Sequence, residues 1–283
     1  MRLTKESAEL YVPDGATGSE AISRTTHICI SAHQDDIEIM AFHGVLQCFA
    51  LPDKWFMGVV VTNGAGSPRS DLYADYTDEQ MRAVRRVEQK KAAHVGEYAA
   101  VVLLDHSSSA LKDAGNPRPV DDLVKILRAA RPEVVYTHNL ADKHDTHVAL
   151  ALRTIAAVRR LPPDERPARL YGCAVWRDLD WLPDEEKVVF DLSAHESLQS
   201  ALVGVFDSQI AGGKRYDLAT LARRRAHATY AASHATDNAT GLSYAMDLTP
   251  LVIDASLSPV EFIRGVLDRF RADVEGRVNT FQG

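Results

Sequence analysis

A histidine and two adjacent carboxylates stand where a buried strand gives way to a helix in CISAHQDDIEIMAFHG, residues 29–44. His33 and Asp36 are three residues apart across that turn, with Asp35 between them. A second pair, His144 and His147, opens another helix more than a hundred residues later, in HDTH. Residues three apart at a helix start face the same side. Two imidazoles, one carboxylate and an open position form a common catalytic zinc set. A donor set without sulfur suits Zn²⁺ and also accommodates Fe²⁺, Mn²⁺ or Co²⁺. Adjacent carboxylates do not easily point alike, so one of Asp35 and Asp36 binds metal while the other is free to act as base toward an activated water. A histidine opposite would polarise the carbonyl and protonate the leaving amine. Spacing alone leaves open which of His144 and His147 is the ligand. Each motif by itself is also an ordinary capped helix start; their convergence at two strand ends is what points to a metal.

The elements that must bring them together alternate along the chain. Apolar strands are expected at 26–33, 55–64, 99–107, 132–139 and 169–176, with an edge strand at 186–193. Helices are expected at 36–50, 77–96, 120–130, 144–160, 194–209 and 214–231. Thr77 or Asp78 caps the second helix and Gly96 stops it. Strands apolar throughout, separated by helices, imply a parallel sheet covered on both faces: an α/β, Rossmann-like, three-layer α/β/α sandwich. If the first five strands lie in the order 3-2-1-4-5, strands one and four are neighbours where the order reverses, and ligands bind outside the carboxyl ends there. The long loops 65–76 and 231–243 are candidates for function. GAG at 64–66 follows the second strand and is no dinucleotide fingerprint. The chain reads as one domain, 1–283, with a core at about 26–210 and a helical and loop extension at 211–283.

Composition excludes several classes. Of 283 residues, 46% are hydrophobic and 25% charged, an ordinary globular balance. The formal charge of −7 and the absence of a basic stripe argue against a nucleic-acid partner. Cys29, Cys48 and Cys173 lie far apart and read as reduced, buried thiols, which suggests a cytoplasmic protein. Residues 1–25 lack the apolar segment of a signal peptide, and no apolar run approaches the ~18 residues of a membrane span.

The ordered motifs resemble those of the LmbE-like, or PIG-L, zinc-dependent de-N-acetylases. That family carries HPDD after its first strand, TxG after the second, an RxxE helix ending LG, and a late HPDH. Here the series reads AHQDDIE (32–38), TNGAG (62–66), RRVE (85–88) ending HVG (94–96), and HDTH (144–147), with DSQ at 207–209 for the family's late SQ. The resemblance implies a hydrolase that removes acetyl groups from N-acetylated amino sugars or their conjugates, of the N-acetylglucosamine type, with one Zn²⁺ per chain. It implies His33, Asp36 and His147 as zinc ligands and Asp35 as general base. It implies His144 as oxyanion stabiliser and acid, and Arg85 as a contact to the substrate sugar. Some relatives are homo-oligomers. Departures are Gln34 for proline, which removes a φ restraint, Ser108 for aspartate at the third strand's exit, and Thr146 for the aspartate expected to orient His144. Asp142 or Asp145 is positioned to replace it, and Glu38 to support the site from behind. Rival readings are an amidase on another small conjugate and a sugar-binding relative without catalysis.

Overall fold

The computed structural model describes residues 1–229 and 231–282. Its sheet contains, among the described residues, β1 (Glu9–Tyr11), β2 (His27–Ser31), β3 (Phe56–Thr62), β4 (Ala100–His106), β5 (Val134–His138), β6 (Arg169–Cys173), β7 (Val188–Asp191) and β8 (Leu242–Asp247). Their order is β1-β4-β3-β2-β5-β6-β8-β7. The five strands from β4 to β6 are parallel, in the order assumed from the sequence, and the reversal falls between β2 and β5. Alternation along β2 sends Ile28 and Ile30 into one core and Cys29 into the other. Helices Arg118–Ala130 and Asp145–Arg159 cover the first face. Helices Asp78–Val95 and Glu196–Gly204 cover the second.

Several elements differ from the sequence expectation; the helix expected over 194–209, for one, breaks at Phe206 (φ −87°, ψ 58°) into Glu196–Gly204 and Asp207–Gln209. The helix expected over 36–50 breaks at Ala41 (φ −117°, ψ 22°) into Asp36–Met40 and Phe42–Leu46. Both pieces drive apolar residues into the same core, Ile37 and Met40 from one and Phe42 and Val45 from the other. β8 inserts antiparallel between β6 and β7, so the predicted edge strand β7 pairs with β8 rather than β6. A six-residue antiparallel strand that returns from beyond residue 240 carries no local signature of its neighbours. β1 adds a three-residue antiparallel edge beside β4. The sheet thus extends past the 26–210 core at both ends. The helix Pro259–Phe281 closes the chain and contributes Val266 to the first core. No described helix is long and apolar enough to cross a membrane.

The helix Asp78–Val95 matters most for the site. Thr77 and Gln80 form a reciprocal capping box. Its inward face carries Met81, Arg85, Glu88, Gln89 and Ala92, a helical spacing that brings three polar side chains to the end of the sheet. Glu88 accepts the Ser208 N–H at 2.7 Å and its hydroxyl at 2.6 Å, which joins the RxxE and SQ motifs. Thr77→Ala should cost about 1 kcal/mol, read as a lower urea midpoint at unchanged m-value.

Candidate functional site

Where β2 ends, the backbone turns through Asp35 at φ 89°, a conformation rare for a residue with a side chain. The turn aims Asp36 inward. Its buried Oδ2 accepts the His33 N–H at 2.7 Å. His33 Nδ1 lies 3.2 Å from that oxygen, His147 Nε2 lies 3.4 Å from it, and the two nitrogens are 3.2 Å apart. Ligands on a tetrahedral zinc with bonds of ~2.05 Å stand about 3.3 Å from one another. The residues therefore fit a divalent cation by the spacing of three lone-pair atoms.

Two wider groupings surround this triangle: His33 with His144 and His147, and Asp36 with His138 and His147. His138 Nε2 accepts the Ala32 N–H at 3.0 Å, so its lone pair is taken. Its ring stacks on His147 with centroids 3.8 Å apart and so packs against that imidazole. His138 is the last residue of β5, and a histidine at a strand end serves either purpose, ligand or packing, by its sequence alone.

Asp142, two residues before His144, supplies the orienting carboxylate, but to a different ring than expected. Its Oδ2 faces His147 Nδ1 at 3.4 Å and accepts the Trp176 N–H at 3.2 Å; its Oδ1 takes the His144 backbone N–H at 3.0 Å. Such a partner sets tautomer and ring orientation. His144 instead caps its own helix, its Nδ1 accepting the Thr146 N–H at 3.3 Å. In neutral His144 the proton then sits on Nε2. The structure gives the Asp145 side chain no bond to either ring.

Asp35 is buried beside the triangle, and its Oδ2 pairs with Arg85 Nη2 at 3.3 Å. Arg85 also donates to the Gln34 carbonyl and to Ser67 Oγ. It borders the cleft, yet its guanidinium is committed to the protein. Gln34 does not loosen the turn. Its side chain donates to the Thr62 carbonyl of β3 at 3.3 Å, replacing a ring restraint with a hydrogen bond. Gly64, at φ 70°, leaves room for it: a Cβ there would collide with Gln34 Oε1. Glu38 lies a layer further back, its Oε1 accepting from Gln89 and Tyr98 at 2.9 and 2.8 Å, with no hydrogen bond to the triangle.

The electrostatics follow from burial. Burial raises the Asp36 carboxyl, but His147 and His138 outweigh it and hold the group well below the usual carboxylate range. Burial pushes Asp35 well above that range, with Arg85 opposing. Burial also depresses His147, but Asp36 and Asp142 lift it to about 9. A proton on His147 thus compensates Asp36, a task that a bound cation would take over. Burial lowers His144, reinforced by His147 and His33.

His33, Asp35, Asp36, Arg85 and His144 open on a cleft of about 480 Å³ that also includes Ser108, Lys143, Trp176, Gln209 and Tyr216. Trp176 lies three residues beyond the last residue of β6 and is findable by the strand-end rule; Tyr216 has no sequence signal. The profile of the PIG-L family, described as GlcNAc-PI de-N-acetylase, matches residues 28–158. The uncharacterised deacetylase YaiS of Escherichia coli K12 is 30% identical over 154 residues, 53% of this chain and 77% of that protein. N,N′-diacetylchitobiose deacetylase from Pyrococcus horikoshii aligns at a TM-score of 0.63 and 15% identity, over 84% of this chain and 87% of that one. The 4-carboxy-2-hydroxymuconate hydratase GalB of Pseudomonas putida KT2440 aligns at 0.58 and 16%, over 79% and 95%. At such identities the two structural likenesses establish the fold alone.

Asp142→Asn should weaken a divalent ion held by His147 by about 10- to 100-fold, measured by competitive titration against a metal-sensitive dye.

Proposed function

Because this chain belongs to the PIG-L family of de-N-acetylases, we propose that it is a metal-dependent amide hydrolase. It would remove the acetyl group of an N-acetylated amino sugar or conjugate, of the N-acetylglucosamine type, and release acetate and a free amine. The observation that carries this reading is the triangle of His33 Nδ1, Asp36 Oδ2 and His147 Nε2 at 3.2–3.4 Å, with a second buried carboxylate beside it. His33, Asp36 and His147 would hold one divalent ion, zinc by the chemistry of the donors. When bound, the ion polarises the acyl carbonyl and lowers the pKa of a water to about 7.

The chain's own groups supply the proton steps. Asp35 takes a proton from the attacking water as the new C–O bond forms. Burial favours its proton-accepting role, since a carboxylate held above its usual range is a stronger base. Arg85 pairs with Asp35 at 3.3 Å and opposes the burial that raises its pKa. His144, with its proton on Nε2, donates to the developing oxyanion. The C–N bond then breaks, and the proton gathered by Asp35 passes to the departing amine. Thr146 in place of an acidic partner leaves His144 a neutral donor rather than a strong acid. Arg85 would meet the sugar only through the edge of its guanidinium, because its main bonds are internal.

Metal content and acetate release from N-acetylglucosamine and its conjugates test the reading together. Asp35→Asn keeps a residue type tolerant of positive φ. It should retain the metal and lose about 10²- to 10⁴-fold in kcat. Undiminished turnover in that variant would remove Asp35 from the role of base.

A further inference from the structure

The cleft shares one wall with a second cavity. Trp176, Lys214 and Tyr216 line both. Behind them lies a space of about 180 Å³ walled by Ile39, Ala174, Val175, Ala219, Leu242 and Tyr244. Of the basic side chains in that wall, Lys214 stands with its Nζ 5.2 Å from the Trp176 ring, and the other three direct most of their polar atoms to protein partners. Arg223 Nη1 donates to the Val175 carbonyl at 2.6 Å. Arg224 donates to Gln199 Oε1 at 3.0 Å and to the carbonyls of Glu38 and Ile39 at 2.8 and 2.9 Å, its Nε remaining without a partner. His227 has both ring nitrogens engaged, by Asp178 at 2.8 Å and the Leu242 carbonyl at 3.2 Å. What faces the cavity is chiefly hydrocarbon and aromatic surface.

Strand order gives the cavity a side. The triangle sits at the ends of β2 and β5. Ser67 follows β3 and Ser108 follows β4, on one flank; Trp176 follows β6, on the other. An amide held at the triangle therefore directs one substituent toward a polar flank and the other toward Trp176 and the apolar cavity. A sugar, with its hydroxyls, suits Ser67, Arg85 and Ser108. The cavity is left for the acyl group. Of its lining residues only Ile39 falls within 28–158, so this space is built by the part of the chain outside the family match.

We propose that the cavity behind Trp176 and Tyr216 receives the acyl chain, and that the enzyme prefers N-acyl groups of about six carbons, straight or aromatic, over acetyl. The size agrees: an apolar cavity of about 150 Å³ holds one benzene. Acetyl itself would reach the triangle and leave the cavity unfilled. The proposal rests on the amide-hydrolase reading above and extends its acyl group beyond acetyl.

The test is a series of N-acylglucosamines carrying acetyl, butyryl, hexanoyl and decanoyl groups, assayed for amine release by the metal-loaded enzyme. Each methylene buried should raise kcat/KM about two- to fourfold, so hexanoyl should exceed acetyl on the order of 50-fold and decanoyl should fall back. Ala219, exposed on the helix Tyr216–Thr229, tolerates a larger side chain. Ala219→Phe should fill the cavity and bring the hexanoyl-to-acetyl ratio near one. Separately, hexanoate should quench tryptophan fluorescence at concentrations at least tenfold below acetate. Acetate release with a flat or falling series overturns the acyl cavity and leaves the hydrolase reading intact. A rise with alkyl length on the glycosidic side instead assigns the cavity to the aglycone and overturns the proposal. No amine release from any member overturns the hydrolase reading beneath it, and equal binding of hexanoate and acetate then overturns the cavity as well.

Discussion

Oδ2 of Asp36 is buried, accepts a backbone N–H at 2.7 Å, and has three imidazole nitrogens within 3.2–3.4 Å. A carboxylate taken out of water in this way needs a positive partner, because the uncompensated charge would cost far more than folding supplies. The surrounding structure is arranged to meet that need. Asp142 holds His147 so that its Nε2 faces the oxygen, and the positive φ at Asp35 bends the chain so that Asp36 points inward. Whether a proton or a metal ion supplies the positive charge, the same triangle must close, and it closes only if β2 and β5 lie side by side.

That adjacency ties chemistry to topology. In a doubly wound sheet the reversal of strand order opens a crevice beyond the strand ends. Here the reversal lies between β2 and β5, the two strands followed by HQDD and HDTH. The same order distributes the other walls of the cleft. Polar loops after β3 and β4 stand on one flank, and Trp176 after β6 stands on the other. The cleft is asymmetric because the sheet is. A fold shared with a hydratase as well as with deacetylases leaves the reaction to these side chains, not to the sandwich that presents them.

Local pattern carried the fold a long way. The unbroken apolar runs of β2, β3, β4 and β5 could only be buried on two faces. The capping box at Thr77 and the stop at Gly96 marked both ends of the helix that carries Arg85 and Glu88. β1 and β8 escaped, since three or six residues of mixed polarity gain their strand character from the neighbour they pair with. The break at Ala41 escaped too, because both halves of that helix keep an apolar face and the periodicity runs through the kink.

For the site, residue types and spacing put forward His33, Asp35, Asp36, His144 and His147, and the fold brings the three histidines and Asp36 together. A donor set of imidazoles and carboxylates is a property of composition and position. Which atoms face one another is not. Asp142 served His147 rather than His144, Arg85 turned inward to Asp35, and Gln34 became a cross-link to β3, since each depends on distances between segments remote in the chain. The apolar cavity behind Trp176 is the extreme case. It is assembled from the helix Asp36–Met40, the segment 174–176 that follows β6, β8 and the helix Tyr216–Thr229, so no stretch of sequence contains it; a void exists only once segments remote in the chain have been packed together.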